Sequence, residues 1–155
     1  VPLTQLGRLC EAVGIEWLVN RSTVMPQGST ALRITGLDDF RSGRPDVESA
    51  LATADPMPNH LVLAHCPGQR DHLGLPAAHS ADLMLSGHTH GGQVAPFGMP
   101  VVLPPGSGRY VAGWYGREGG DGLPPLYVSR GVGTSLIPVR LGAVPEVAVF
   151  EWSLA

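Results

Sequence analysis

The chain has 155 residues, 43% of them apolar, and a formal net charge of −3 with its histidines neutral. That length suits one domain or one large piece of a domain. Apolar runs such as Leu61–Ala64 recur along it and exclude a disordered chain, and ten scattered arginines with no lysine argue against a nucleic-acid binder.

The two cysteines, Cys10 and Cys66, make no disulfide framework. No apolar run approaches the roughly 18–20 residues of a membrane helix, and no signal peptide begins at Val1. A start at valine is read as a chain that begins inside a longer protein. Location stays open between cytoplasmic and peripheral at a membrane.

Leu3 to Val13 is predicted helical, with Leu3, Leu6, Leu9, Cys10 and Val13 on one face and Gly14 as its stop. Short strands are expected over Trp17 to Asn20 and Ala31 to Gly36, with the turn-prone Met25 to Gly28 between them. Pro45 opens a second helix with Val47, Ala50, Leu51 and Ala54 on its buried side, and Pro56 and Pro58 end it. His60 to Ala64 has the unbroken apolar character of a strand in a covered sheet. His65-Cys66-Pro67 follows as a loop.

A short helix over Arg70 to Ala78 then leads to a buried strand, Asp82 to Leu85, which opens into Ser86-Gly87-His88-Thr89-His90-Gly91-Gly92. Two strands joined through a helix are expected to run parallel, with both following loops on the same sheet edge. After Gln93, the Gly- and Pro-rich stretch Pro104 to Pro125 holds one strand-like segment, Tyr110 to Tyr115. Leu126 to Ser129, Leu136 to Val139 and Glu146 to Trp152 are predicted strands of a second, antiparallel sheet. The expected class is α/β, with helices outside and two sheets packed together.

Three of the six histidines, His65, His88 and His90, stand in loops directly after buried strands. The i, i+2 spacing of His88 and His90 suits a tight turn, where Gly87, Gly91 and Gly92 would supply positive φ and little bulk. Neutral imidazole is a ligand for zinc, manganese, iron, nickel and copper, and three converging rings can hold one ion. The plainer alternative is three unrelated histidines bonded to backbone.

Gly87-His88-Thr89-His90 after its apolar strand resembles the last motif of calcineurin-like metallophosphoesterases, and Leu61-Val62-Leu63-Ala64-His65 resembles the motif before it. The run Leu85 to Gln93, then Tyr127 to Gly133, Pro138-Val139-Arg140 and Pro145-Glu146, with Ile34 to Asp39 upstream, is similar to a bacterial subgroup of membrane-associated phosphodiesterases. The likeness runs from about Gly14 to Glu146. It implies the C-terminal part of a four-layer α/β/β/α sandwich and a binuclear centre of two divalent ions, manganese, iron or zinc. His65 and His88 would bind one ion and His90 the other. The ions, about 3.5–4 Å apart, would hold the phosphate and generate a hydroxide nucleophile. The implied substrate is a small or lipid-linked phosphate ester.

The family's earlier motifs are an Asp-x-His pair, a Gly-Asp pair supplying a bridging aspartate, and a Gly-Asn-His run. None of them is read anywhere in the 155 residues. They are assigned to a segment before Val1, so residues 1–155 are expected to be one incomplete domain, inactive or weakly active alone. It would pair with its missing N-terminal half or self-associate. One rival is a non-catalytic metal- or phosphate-binding fragment that acts only by assembling with another chain. The other is a complete mononuclear zinc hydrolase, disfavoured because no His-Glu-x-x-His occurs.

Arg130 and Gln93 are candidates for substrate contact, Gln93 also for orienting a ligand or the backbone of the turn. Arg140 is a weaker phosphate candidate, with a structural ion pair as the alternative for both arginines. Cys66 is expected to pack as a small apolar group, with a metal contact as thiolate the alternative. Asp38 and Asp39 are expected to shape a turn and helix approach, with acid–base work or a metal as the alternative. His60, His72 and His79 are read as loop or surface residues, and Tyr110, Trp114 and Tyr115 as groove or packing aromatics.

Overall fold

Short strands rich in β-branched and leucine residues, separated by Gly, Pro and Asp turns, pair into one six-stranded mixed sheet. The computed structural model describes residues 3–52, 55–74, 81–118 and 122–153. Helix α1 spans Leu3–Ala12 and α2 Val47–Leu51; the strands are β1 Arg21–Gln27, β2 Thr30–Gly36, β3 His60–Leu63, β4 Leu83–Ser86, β5 Gly113–Tyr115 and β6 Leu126–Val128. Their order is β1-β2-β3-β4-β6-β5. The four central strands β2, β3, β4 and β6 run parallel, and β1 and β5 close the two edges antiparallel. The fold is therefore α/β, as part of a metallophosphoesterase-type sandwich requires. Among the described residues no helix is long and apolar enough to cross a membrane.

Alternation along the strands sorts their side chains onto two faces. On the inner face, Val62, Met84 and Leu126 stand side by side in register and are fully buried with Val128. Leu37, Ala50, Leu73 and Tyr110 pack against them in one core cluster. On the other face, Leu63, Leu85, Tyr127 and Trp114 form a registered row. Leu63 is 38% and Trp114 42% exposed, so this face is not covered within the described residues. Phe150 packs edge-on against Trp114 and Tyr127 at the end of that row.

Several elements differ from expectation. The first strand is Arg21–Gln27, not Trp17 to Asn20, and the turn lies at Gly28-Ser29. An edge strand tolerates Pro26, which cannot donate to a ladder. Asn20 sits in a left-handed conformation, φ 49°, and its side chain bonds Asp38 N, Asp46 N and Arg44 O, which ends the extended run. Asp46 caps α2 by accepting from Ser49 N.

The segment read as a helix over Arg70 to Ala78 is a 3₁₀ turn, Pro67–His72, with Leu73 and Gly74 past its end; residues 75–78, with Ala54 and His79, lie outside the described residues. Arg70 is a core residue, its guanidinium donating to Pro124 O at 2.7 Å and Tyr110 Oη at 3.2 Å. The second sheet does not form among the described residues. Leu126–Val128 joins the first sheet beside β4, and residues 136–139 and 146–152 carry no strand. The face predicted for the first helix is uncovered among the described residues, with Leu9 55% exposed on α1 and Val13, just past its end, 70% exposed.

Candidate metal centre

Because β2, β3, β4 and β6 are parallel, the loops that follow them emerge at one edge. They carry Asp38–Asp39, His65, the turn 87–93 and Arg130 respectively. Backbone bonds extend the pairing past the strand ends: Ala64 N donates to Leu85 O, Gly87 N to His65 O and Ser129 N to Ser86 O. The histidine loops are thereby tied to the sheet by backbone hydrogen bonds.

His65 Nε2 and His88 Nδ1 face each other at 3.1 Å, with the rings edge-on at 4.8 Å. The other nitrogen of His88, Nε2, lies 3.0 Å from the Pro105 carbonyl, which can only accept. His88 therefore carries its proton on Nε2 and turns the Nδ1 lone pair toward His65. Two nitrogens each about 2.1 Å from one ion, at roughly a right angle, are about 3 Å apart. The pair fits two ligands of a single ion.

Partial burial, and then the His88 ring, lower the His65 pKa, against a pull from Asp39 in the other direction. That favours neutral imidazole, the form that binds metals. His90 Nδ1 is 3.2 Å from Gln93 Oε1. Among the described residues no group of three or more His, Cys, Asp or Glu side chains is placed to hold an ion. The three histidines share an edge but do not make a closed site.

The turn itself departs from expectation. Gly91 and Gly92 do take positive φ, 64° and 83°, but Gly87 does not, and the histidines themselves do: His88 at 69°, His90 at 52°, followed by Gln93 at 51°. A Cβ on Gly91 would meet Arg130 Cγ at 2.9 Å, so a glycine there also admits the Arg130 stem. Thr89, overlooked in the sequence, is buried and ties the turn by donating to Val111 O at 2.6 Å and accepting from Gly91 N.

Arg130 pairs with Glu146 through its guanidinium, and its backbone N–H donates to the same carboxylate at 2.9 Å. Burial alone would raise the Glu146 pKa; these bonds and the Tyr127 hydroxyl outweigh it and lower it. Among the described residues Arg140 makes no ion pair. It donates to four backbone carbonyls: Gly133 and Ala143 on its own loop, Arg130, and His90 at 3.2 Å.

Asp38 and Asp39 shape the loop after β2, as expected. Asp38 accepts from Asp39 N and Arg44 N, and Asp39 from Arg41 N, Ser42 N and Ser42 Oγ. Cys66 is buried, its thiol donating weakly toward Asp39 at 3.8 Å. Burial, then the Asp39 charge, push that thiol up. Both cysteines are free thiols. His60 is not a surface residue: it is buried, with Nε2 2.7 Å from Thr35 Oγ1. His72 stacks on Phe40. A Gly-Asp step does occur in the chain, at Gly120-Asp121, but it follows the histidine turn and lies outside the described residues.

Two imidazoles converging at the carboxyl edge of parallel strands, followed by a third on the same turn, have the donor chemistry of a histidine metal site. Comparison with known proteins gives the family. The chain is 37% identical over 120 residues to the uncharacterized metallophosphoesterase YkuE of Bacillus subtilis, covering 77% of this chain and 40% of that protein. It is 34% identical over 150 residues to the phosphodiesterase YaeI of Escherichia coli, covering 94% and 50%. It is 40% identical over 104 residues to an uncharacterized metallophosphoesterase of Helicobacter pylori, covering 67% and 26%. The chain belongs to the calcineurin-like metallophosphoesterase superfamily, and it spans half or less of the length of these relatives. No family model and no solved structure matches it.

Proposed function

We propose that the protein carrying this chain is a metal-dependent phosphodiesterase with a binuclear centre, in which His65 and His88 hold one divalent ion and His90 a second. The remaining ligands, and the histidine that assists phosphoryl transfer, would come from a segment preceding Val1. The observation that supports this most is the 3.1 Å approach of His65 Nε2 and His88 Nδ1 at the edge of the parallel strands. A divalent ion bound there, manganese being the first to test, would polarise a phosphate oxygen and acidify a coordinated water.

The chain's own residues would orient and select. The Pro105 carbonyl aims His88, and Arg130, 39% exposed beside Glu146, stands at the same edge as a candidate contact for a phosphate oxygen. Gln93 enters this reading through His90. An open cleft of about 440 Å³, lined by Leu18, Leu63, Leu85 and His65, offers an apolar wall for the organic part of an ester. The name of the YaeI relative supports a diester; a small molecule and a lipid-linked phosphate both suit the cleft.

Alone, the chain would be inactive or weakly active. Its uncovered sheet face and α1 favour a second reading, a fragment that functions only when assembled with its missing half or another copy. Hydrolysis of bis-p-nitrophenyl phosphate with manganese tests both. The full-length protein should turn it over, and His88→Ala should lower the rate by more than the roughly 10–100-fold that loss of an outer partner costs. Strong turnover by the isolated chain, abolished in His88→Ala, would overturn the incompleteness. No turnover by either form would favour the assembling fragment.

A further inference from the structure

We infer that Gln93 is a positioning residue that fixes which nitrogen of His90 carries the proton, and that the backbone at residues 135–137 holds it to that task. This rests on His90 being a metal ligand, as proposed above. The two ends of a glutamine amide have nearly the same shape, and only their partners distinguish them. One end of the Gln93 amide lies 2.9 Å from Ser135 O and 3.1 Å from Ile137 O. Both carbonyls only accept, so this end is the NH₂. The other end lies 2.6 Å from Ser135 N, which only donates, so it is the oxygen.

That same oxygen faces His90 Nδ1 at 3.2 Å. An amide oxygen cannot donate, so His90 carries its proton on Nδ1 and leaves the Nε2 lone pair for a ligand. The result is the reverse of His88, where the Pro105 carbonyl holds the proton on Nε2. Two histidines of one turn are thus set to present different nitrogens, as suits ligands of two different ions. Arg140 fastens the same loop to the turn by spanning His90 O, Arg130 O, Gly133 O and Ala143 O. Gln93 itself sits at φ 51°, a conformation glutamine does not favour. Such strain persists where surrounding bonds over-determine the residue, and here all four hydrogen-bonding positions of the amide are in use.

The test uses the full-length protein, metal-free and labelled with ¹⁵N-histidine, at a pH well above the ordinary imidazole pKa. Long-range ¹H–¹⁵N spectra should show His90 as the Nδ1–H tautomer and His88 as Nε2–H. In Gln93→Ala, His90 should become a mixture of tautomers while His88 is unchanged, which reports an intact turn. Manganese titration by calorimetry should then show one site weakened about 10–100-fold. Gln93→Glu keeps an acceptor for His90 and should retain Nδ1–H.

An unchanged tautomer in Gln93→Ala, with affinity within about twofold, would overturn the inference. So would a Gln93→Glu protein with mixed tautomers, which would make the residue a brace only. His90→Ala separates the two levels. If it too leaves manganese binding unchanged, the metal-ligand reading itself falls; if it weakens binding and Gln93→Ala does not, only the role of Gln93 falls.

Discussion

The carboxyl edge of the sheet and its outward face are built from the same strands, yet they are finished to different degrees. At the edge, polar groups from distant loops find partners: Thr89 on Val111 O, Gln93 on Ser135 and Ile137, Arg140 on four carbonyls. On the face, Leu63 and Trp114 stay open, and so do Leu9 on α1 and Val13 just past its end. Hydrogen bonds are directional and close within a loop cluster. Apolar area needs a second layer to exclude water. A hydrogen-bonded loop edge can therefore be completed while an apolar face stays uncovered among the described residues.

The largest expected effect lies on the face. The isolated chain should associate, because contiguous apolar surface of this kind marks an interaction site or an aggregation hazard. The double variant Leu63→Gln/Trp114→Ser should shift it toward monomer in size exclusion with light scattering. A monodisperse monomer of the unaltered chain would break the comparison outright.

The next effect lies at the edge. Arg140→Met removes the donors for four carbonyls and should cost about 1.5–3 kcal/mol in urea unfolding, the range for hydrogen bonds to a charged group. Arg140→Lys should recover little, since an ammonium cannot span four acceptors as a planar fork does. A loss within about 0.5 kcal/mol, ordinary for surface changes, would mean the edge is less tightly built than its bonds suggest.

The smallest effect sharpens the same point with pH. Asp39 is lowered from its ordinary 3.8 to about 2, chiefly by the Ser42 N–H and then the Ser42 hydroxyl. A carboxylate whose pKa is depressed on folding contributes stability above its unfolded value and loses it as pH falls through the folded one. The loop at 38–44 should hold above about pH 4 and loosen from there toward 2, read by amide exchange at Ser42. Asp39→Asn should flatten that dependence. No change with pH between these values would place the loop's stability elsewhere.

The sequence revealed most where burial and spacing leave a pattern. The apolar runs at β3 and β4 announced parallel strands, and the loops at their ends announced the histidines. β1 was displaced in the reading because its residues are largely exposed and its Pro26 looks like a breaker. His60 was misjudged because a buried polar side chain has no pattern of its own; its partner, Thr35, is remote in the chain. The strand character of residues 146–152 reflects β-propensity, which depends on neighbours to pair with. The tasks of Arg140 and Thr89 were invisible for a related reason, since a backbone carbonyl accepts whatever residue bears it.

The left-handed backbone at His88, His90 and Gln93 sets thermal endurance against chemistry. A left-handed residue other than glycine costs of order 1 kcal/mol or more, though histidine bears it better than most. Selection for melting temperature alone would move the two histidines toward glycine or asparagine, while Gln93 is held by its four hydrogen bonds. Each such step would relax the turn and remove the ring that gives it a use. Under the proposed function, the histidine positions of the turn are thus places where consensus-style stabilisation is expected to extinguish activity.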